Sequence, residues 1–296
     1  MGFLSLLKSR SVVLLDGAIG TELDKRGLMG RGRANLESPD AVREIHQAYS
    51  RSGCDALTTN TLTMNRIYLE THHVDVSVEE VNRAGAELAD QATGCDQYVL
   101  GNLSSTGQLL QPYGTCDEGQ FCVAFREQAK VLANAGVDAF LIETMFDLRE
   151  ALVALHACKE ISPLPVLVSI AFQTEDKGGR TMMGNTAEQC ATQLTEAGAD
   201  VIGANCGDLD PHQMATVVAL LRQATDRPIL AQPNAGKPRL EGNRTIFDMA
   251  PGPFAEGIAR CIDAGARIVG GCCGTGPEHI RAVAAMLQTP PQADQP

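Results

Sequence analysis

Along the chain, short apolar runs alternate with longer stretches in which apolar positions recur at helical spacing. Four of the apolar runs begin alike: SGCDALTTN from Ser52, AGVDAFLIET from Ala135, AGADVIGANC from Ala197 and AGARIVGGCC from Ala264. Each opens with a small residue and a glycine, carries Asp or Arg two positions after the glycine, and continues apolar. Each follows a helix-like stretch, such as Ala41 to Tyr49 or Ala187 to Leu194. The glycine suits the residue just past a helix end, where positive φ is needed. The run after it is short and apolar on both faces, as a buried parallel strand is.

Gly53, Gly136, Gly198 and Gly265 lie 62 to 83 residues apart, and one strand–helix unit takes about 30 to 40. Each interval therefore holds two units. The missing strands are predicted at Val12 to Asp16, Gln97 to Gly101, Pro165 to Ala171 and Pro228 to Gln232. Eight strands alternating with helices in 296 residues predict an α/β fold, a single-domain (β/α)8 TIM barrel over residues 1–288. The remaining segment 289–296, TPPQADQP, reads as a disordered tail. A doubly wound open sheet is the competing architecture, but DGAIGT at Asp16 to Thr21 lacks the GxGxxG spacing such sheets carry.

In such barrels the chemistry sits at the C-terminal ends of the strands. Here those ends carry Asp16-Gly17, Thr59-Asn60-Thr61, Glu143-Thr144, Asn205-Cys206 and Cys272-Cys273. The Cys272-Cys273 pair, set among glycines in GGCCGTG, has three readings: small buried residues in a tight turn, a strained vicinal disulfide, or metal ligands. The barrel brings Cys206 to the same rim; its alternative is the usual fate of a free cysteine, a small buried hydrophobe. Three thiolates suit zinc better than magnesium or calcium and leave one tetrahedral position open. Such a centre carries net negative charge, so it is a poor Lewis acid for hydrolysis and a good holder for a further thiol. A thiol bound there is deprotonated. The chemistry this predicts is alkyl transfer to a substrate thiolate, with no catalytic group beyond that metal-activated thiolate.

Asp16 and Glu143 follow apolar strands, and a carboxylate there needs a partner. A substrate ammonium is one; a neighbouring lysine or a helix N-terminus is the other. Backbone amides at Gly17-Ala18 are candidates for a substrate carboxylate. Together the rim describes a zwitterionic amino acid with a thiol tail. Three polar segments border it: Gly101 to Gly107, Thr174 to Asn185, and Gly236 to Gly252. Long loops of this kind are often functional, and turn chemistry explains them equally well.

Composition narrows the partners. A net charge of −12 argues against nucleic acid or an anionic membrane. No apolar run approaches the roughly 20 residues that span a bilayer. MGFLSLLKSR shows no cleavage-site pattern, and Leu6 stands where a myristoylation signal has Ser or Thr. The ten cysteines form no short-spaced disulfide framework. These features predict a cytoplasmic protein with reduced thiols.

DGAIGT, Asn60-Thr61, FLIET at Phe140 to Thr144, GANCG at Gly203 to Gly207, PNAG at Pro233 to Gly236 and GGCCGTGPEHI at Gly270 to Ile280 together resemble the homocysteine S-methyltransferase family. The resemblance runs from about residue 10 to 288. It implies that Cys206, Cys272 and Cys273 bind zinc (Zn2+). It also implies that Asp16, Gly17, Thr61 and Glu143 hold the amino acid group of homocysteine, and that the product is methionine. FLIETMFD and VGGCCGT look closest to the homocysteine domain of cobalamin-dependent methionine synthase. No counterpart of that enzyme's folate, cobalamin and activation domains, and no DxHxxG motif, is read here. The resemblance leaves two kinds of donor open: a small molecule such as S-methylmethionine, S-adenosylmethionine or betaine, and a methyl-corrinoid protein docked on the rim. His279 falls at a family position in the last helix and is assigned no catalytic role. Two other functions compete: a non-catalytic homocysteine- or zinc-binding module, and methyl transfer to another thiol or selenol such as cysteine or selenohomocysteine.

Overall fold

The structure, a computed structural model, describes residues 2–28, 31–242 and 244–288; the tail expected at 289–296 lies outside the described residues. Eight parallel strands make one sheet: β1 (Val13–Leu14), β2 (Ala56–Thr58), β3 (Tyr98–Leu103), β4 (Ala139–Met145), β5 (Val166–Ile170), β6 (Val201–Asn205), β7 (Ile229–Gln232) and β8 (Ala266–Val269). Their order is β1-β8-β7-β6-β5-β4-β3-β2, and a parallel bridge from Leu15 to Ala56 joins the two ends. The sheet is thus a closed barrel. Each strand is followed by a helix on the outside: α1 (Pro39–Ser50), α2 (Val78–Asp90), α3 (Glu118–Asn134), α4 (Leu148–Ile161), α5 (Ala187–Glu196), α6 (Pro211–Ala224), α7 (Pro251–Asp263) and α8 (Pro277–Gln288).

The four repeated segments do the work of closure at the N-terminal end of the barrel. All four marker glycines have positive φ, from 87° to 113°, so each helix stops and turns into its strand. The aspartate that follows then clasps the neighbouring strand at both of its polar groups. Asp55 N–H donates to Leu14 O while Asp55 Oδ2 accepts from Leu14 N–H at 2.8 Å. Asp138 does the same to Val99, and Asp200 to Val166. In the fourth repeat Arg267 replaces the acid. Its guanidinium instead donates to the carbonyls of Leu7, Arg10 and Ser11, tying down the N-terminal segment.

Side chains alternate across each strand, and two apolar layers result. Outward residues such as Phe140, Ile142, Val168 and Ile202 pack under the helices. Inward residues Val13, Leu15, Ala56, Leu100, Ala139, Leu141, Leu167, Val201, Leu230 and Ile268 fill the lower lumen, and Phe3 seals it from below. No helix among the described residues is long and apolar enough to cross a membrane.

The loops differ in part from expectation. Gly101 to Leu103 belong to β3 and are not loop. The segment after β5 contains a small hairpin pairing Phe172–Thr174 with Arg180–Thr181, and the one after β7 a second pairing Arg239–Glu241 with Arg244–Ile246. His279 is structural: its Nδ1 accepts from Gly276 N–H, so Nε2–H donates to Met249 O.

Candidate active site

The upper lumen is set by the same alternation one step further along each strand. Above Ala56 comes Thr58, above Leu100 comes Asn102, above Leu141 comes Glu143, above Leu167 comes Ser169, and above Leu230 comes Gln232. Asn205 holds the equivalent place on β6, two residues beyond Gly203. This row is polar where the row below is aliphatic. Sequence reasoning read these strands as apolar on both faces and missed Thr58, Ser169 and Gln232; a polar residue two positions after Ala56, Leu167 and Leu230 was the available signal.

Cys206 leaves β6, and Cys272-Cys273 leave β8. Their three sulfurs lie within 4.8 Å of one another, with Cys206 Sγ 3.9 Å from Cys273 Sγ. Tetrahedral coordination at about 2.3 Å per sulfur requires sulfurs about 3.8 Å apart, so the cluster has the geometry of a metal site. All three residues are half-buried and none forms a disulfide; Cys272 and Cys273 lie in a turn closed by Thr275 N–H donating to Cys272 O. The loop after β7 splints the two cysteine loops: Cys206 N–H donates to Gln232 O, Cys272 N–H to Pro233 O, and Ala235 N–H to Cys273 O. Gly271 is required by crowding, since a Cβ there would lie 2.5 Å from Thr275 Oγ1. Cys206 itself sits at φ +54°, a conformation a non-glycine residue keeps only when its surroundings impose it. The Cys273 thiol is drawn far below the ordinary cysteine range by hydrogen bonds from Cys206 and Cys272, with help from the Arg31 guanidinium.

Asp16 and Glu143 stand near this cluster. Asp16 accepts from Thr58 N–H at 2.9 Å and from Thr58 Oγ1 at 3.0 Å. Glu143 Oε1 accepts from Asn102 Nδ2 at 2.7 Å. Burial pushes Asp16 up to about 8 against those two hydrogen bonds, and the charge of Glu143 adds to the rise. Burial pushes Glu143 up to about 7, opposed by Asn102 and reinforced by Cys273. Among the described residues no lysine or arginine is buried with them. The buried acceptors Asn102 Oδ1 and Gln232 Oε1 also lack a donor. The pocket is thus rich in acceptors and short of positive charge, the complement of an ammonium group.

The other expected residues reach the site indirectly. Thr61 is fully buried, and its hydroxyl closes a ring: Asn102 N–H donates to Thr59 Oγ1, Thr59 O–H to Thr61 Oγ1, and Thr61 O–H to Asn102 O. Thr61 therefore fixes Asn102, which in turn holds Glu143. Gly17 packs against Tyr49 and Thr275, where a Cβ would lie 2.7 Å from Thr275 Oγ1. The Ala18 amide, expected to be free for a carboxylate, donates to Thr275 Oγ1, because the threonine of GGCCGTG folds back beneath the first loop.

Residues 13–287 match the family model described as homocysteine S-methyltransferase. The chain is 31% identical over 300 residues to the methionine synthase of Mycobacterium tuberculosis, covering 94% of this chain and 25% of that protein. It thus spans about a quarter of the length of that relative. The metallated form of the homocysteine methyltransferase MmuM from Escherichia coli superposes with a TM-score of 0.78 at 22% identity, covering 95% of this chain and 98% of that one. Its oxidised form gives 0.77 at 21% identity, with the same coverage. At these identities the structural likeness speaks for the fold.

Proposed function

Because the chain belongs to the homocysteine S-methyltransferase family, we propose that it methylates the thiol of homocysteine to give methionine. The observation that carries this reading is the pairing within one lumen of a three-thiol cluster and two carboxylates, buried Asp16 and half-buried Glu143, with no buried lysine or arginine among the described residues. A ligand that satisfies both ends bears a sulfur and an ammonium.

In this reading Cys206, Cys272 and Cys273 hold a zinc ion, which suits a tricysteine set better than a hard cation does. When bound, zinc supplies a site at which a substrate thiol is ionised. Glu143 and Asp16 bind the ammonium, and the charge they receive offsets the desolvation that raises both groups. Asn102 and Thr58 orient the two carboxylates, and Thr61 and Gly17 hold the supporting loops. The buried lower lumen keeps water from entering below. The chain's part in catalysis is positioning, with the nucleophilic sulfur held toward the open rim where a donor methyl arrives.

The donor is a small methyl compound or a methyl-corrinoid protein that reaches the same open face. The ten free cysteines support a reducing compartment, the cytoplasm. The test is a donor screen: purified, zinc-loaded protein with homocysteine and, in turn, S-methylmethionine, S-adenosylmethionine, betaine and a methyl-corrinoid protein, with methionine as readout. Methionine from at least one donor is expected. Homocysteine binding without turnover across the whole screen would reduce the protein to a binding module.

A further inference from the structure

Asn205 ends β6 and directly precedes Cys206. Its side chain is fully buried and engaged at both ends. Oδ1 accepts from Thr144 N–H at 2.9 Å and from Ser169 Oγ at 2.8 Å. Nδ2 donates to Thr144 Oγ1 at 2.7 Å and lies 3.7 Å from Cys272 Sγ, within reach of an N–H···S bond. One amide group thus touches a sulfur of the metal cluster and the residue that follows Glu143.

Thr144 is held in an unfavourable conformation. Its φ is +59°, the left-handed region that a β-branched residue avoids. The pairing of β4 with β5 slips between Ile142 and Met145, so Thr144 lies in a bulge of the kind that re-aims neighbouring side chains. The two bonds from Asn205 take both polar groups through which Thr144 could otherwise rotate away, its amide and its hydroxyl. Where Thr144 is locked, the direction of Glu143 is locked with it.

We propose that Asn205 is a positioning residue that couples the two ends of the site, restraining Cys272 through N–H···S while holding Thr144 so that Glu143 faces the ammonium position. The geometry stands on its own; its meaning for substrate rests on the homocysteine reading above. The bond to sulfur lowers the electron density that Cys272 presents to a bound metal, and partners of metal ligands are set by such contacts. The bond to Thr144 acts on selectivity, because Glu143 distinguishes a thiol with an ammonium from one without.

The experiment loads the full chain with Co2+ and reads the sulfur-to-cobalt charge-transfer band without substrate, then titrates with homocysteine and with mercaptoethanol. In Asn205→Ala the band moves to lower energy, and cobalt affinity falls about 10- to 100-fold. The preference for homocysteine over mercaptoethanol drops about tenfold, the effect of losing one charge-assisted contact. Adding Thr144→Gly restores part of that preference, since glycine reaches positive φ without the strain that Thr144 carries, and leaves the band shifted. A band that stays in place, or a lost preference that Thr144→Gly does not restore, overturns the coupling. Should Asn205→Ala fail to fold, Asn205→Asp has the same size and carries the same band test. If cobalt-loaded wild type shows no response to homocysteine, the methyl-transfer reading fails, while the substrate-free band still decides the contact of Asn205 with Cys272.

Discussion

The lower and upper halves of the barrel lumen are built by the same eight strands and differ in almost every physical respect. Below, Leu15, Leu100, Leu141, Leu167, Leu230 and Ile268 are fully buried against Phe3, and their burial stabilises the barrel. Above, the next inward residues are Thr58, Asn102, Glu143, Ser169 and Gln232, together with Asn205, and two carboxylates sit in a site that raises their proton affinity. The contrast teaches that one two-residue step along a strand separates an aliphatic layer that holds the fold from a polar layer that carries the candidate site. The lower half supplies stability that the upper half gives up by leaving acceptors unpartnered.

The largest expected effect lies in the upper half. Cys272→Ala should remove most of the bound metal and nearly all activity, with the circular dichroism of the barrel unchanged. Wild type should hold about one metal ion per chain. A variant that kept that stoichiometry would break the contrast, since the cysteines would then be supporting the fold.

The lower half should respond in the opposite way. Phe3→Ala removes the plug and should cost about 3–5 kcal/mol, the usual range for a buried phenylalanine. Denaturant unfolding reads that loss. Metal content per folded chain should not change, and a fall in it would show that the two halves are not separable.

Glu143→Gln sharpens the comparison within the site. Losing a charge-assisted hydrogen bond of roughly 1.5–3 kcal/mol should weaken homocysteine about ten- to a hundredfold. Mercaptoethanol, which has no ammonium, should bind the metal-loaded variant as it binds wild type. Equal weakening of both thiols would mean that Glu143 serves the fold or the metal.

The smallest effect is a pH slope in the protein free of metal and ligand. Burial pushes Asp16 up to about 8 and Glu143 up to about 7 in the folded chain, from ordinary carboxyl values of 3.8 and 4.5. Between those values the native state holds protons that the unfolded chain has released, so stability falls as pH rises. His46 acts in reverse: burial lowers it from 6.5 to about 4, so its contribution rises with pH over that range. Above pH 6.5 the two carboxylates still lower stability as pH rises, while the Cys273 thiol, drawn down in the fold, acts against them. Asp16→Asn should therefore remove a falling component from the slope of the urea midpoint between about pH 6.5 and 8, relative to wild type. An unchanged slope in that variant would remove Asp16 as its source.

Much of this molecule could be read from its sequence, because the signals concerned are local. A glycine past every second helix, an aspartate or arginine two residues on and an apolar run are consequences of helix termination and strand burial, and their spacing counts strands without any knowledge of contacts. Eight strands place Cys206, Cys272 and Cys273 on one rim by topology alone. The tertiary structure decided what depends on which groups meet. The Thr61 hydroxyl is tied into a ring with Thr59 and Asn102. The Ala18 amide is taken by Thr275, which lies 257 residues away. Asn205 links Cys272 to Thr144 across 67 and 61 residues. A hydrogen bond satisfies one donor with whichever acceptor folding brings within about 3 Å, and no local pattern records that choice.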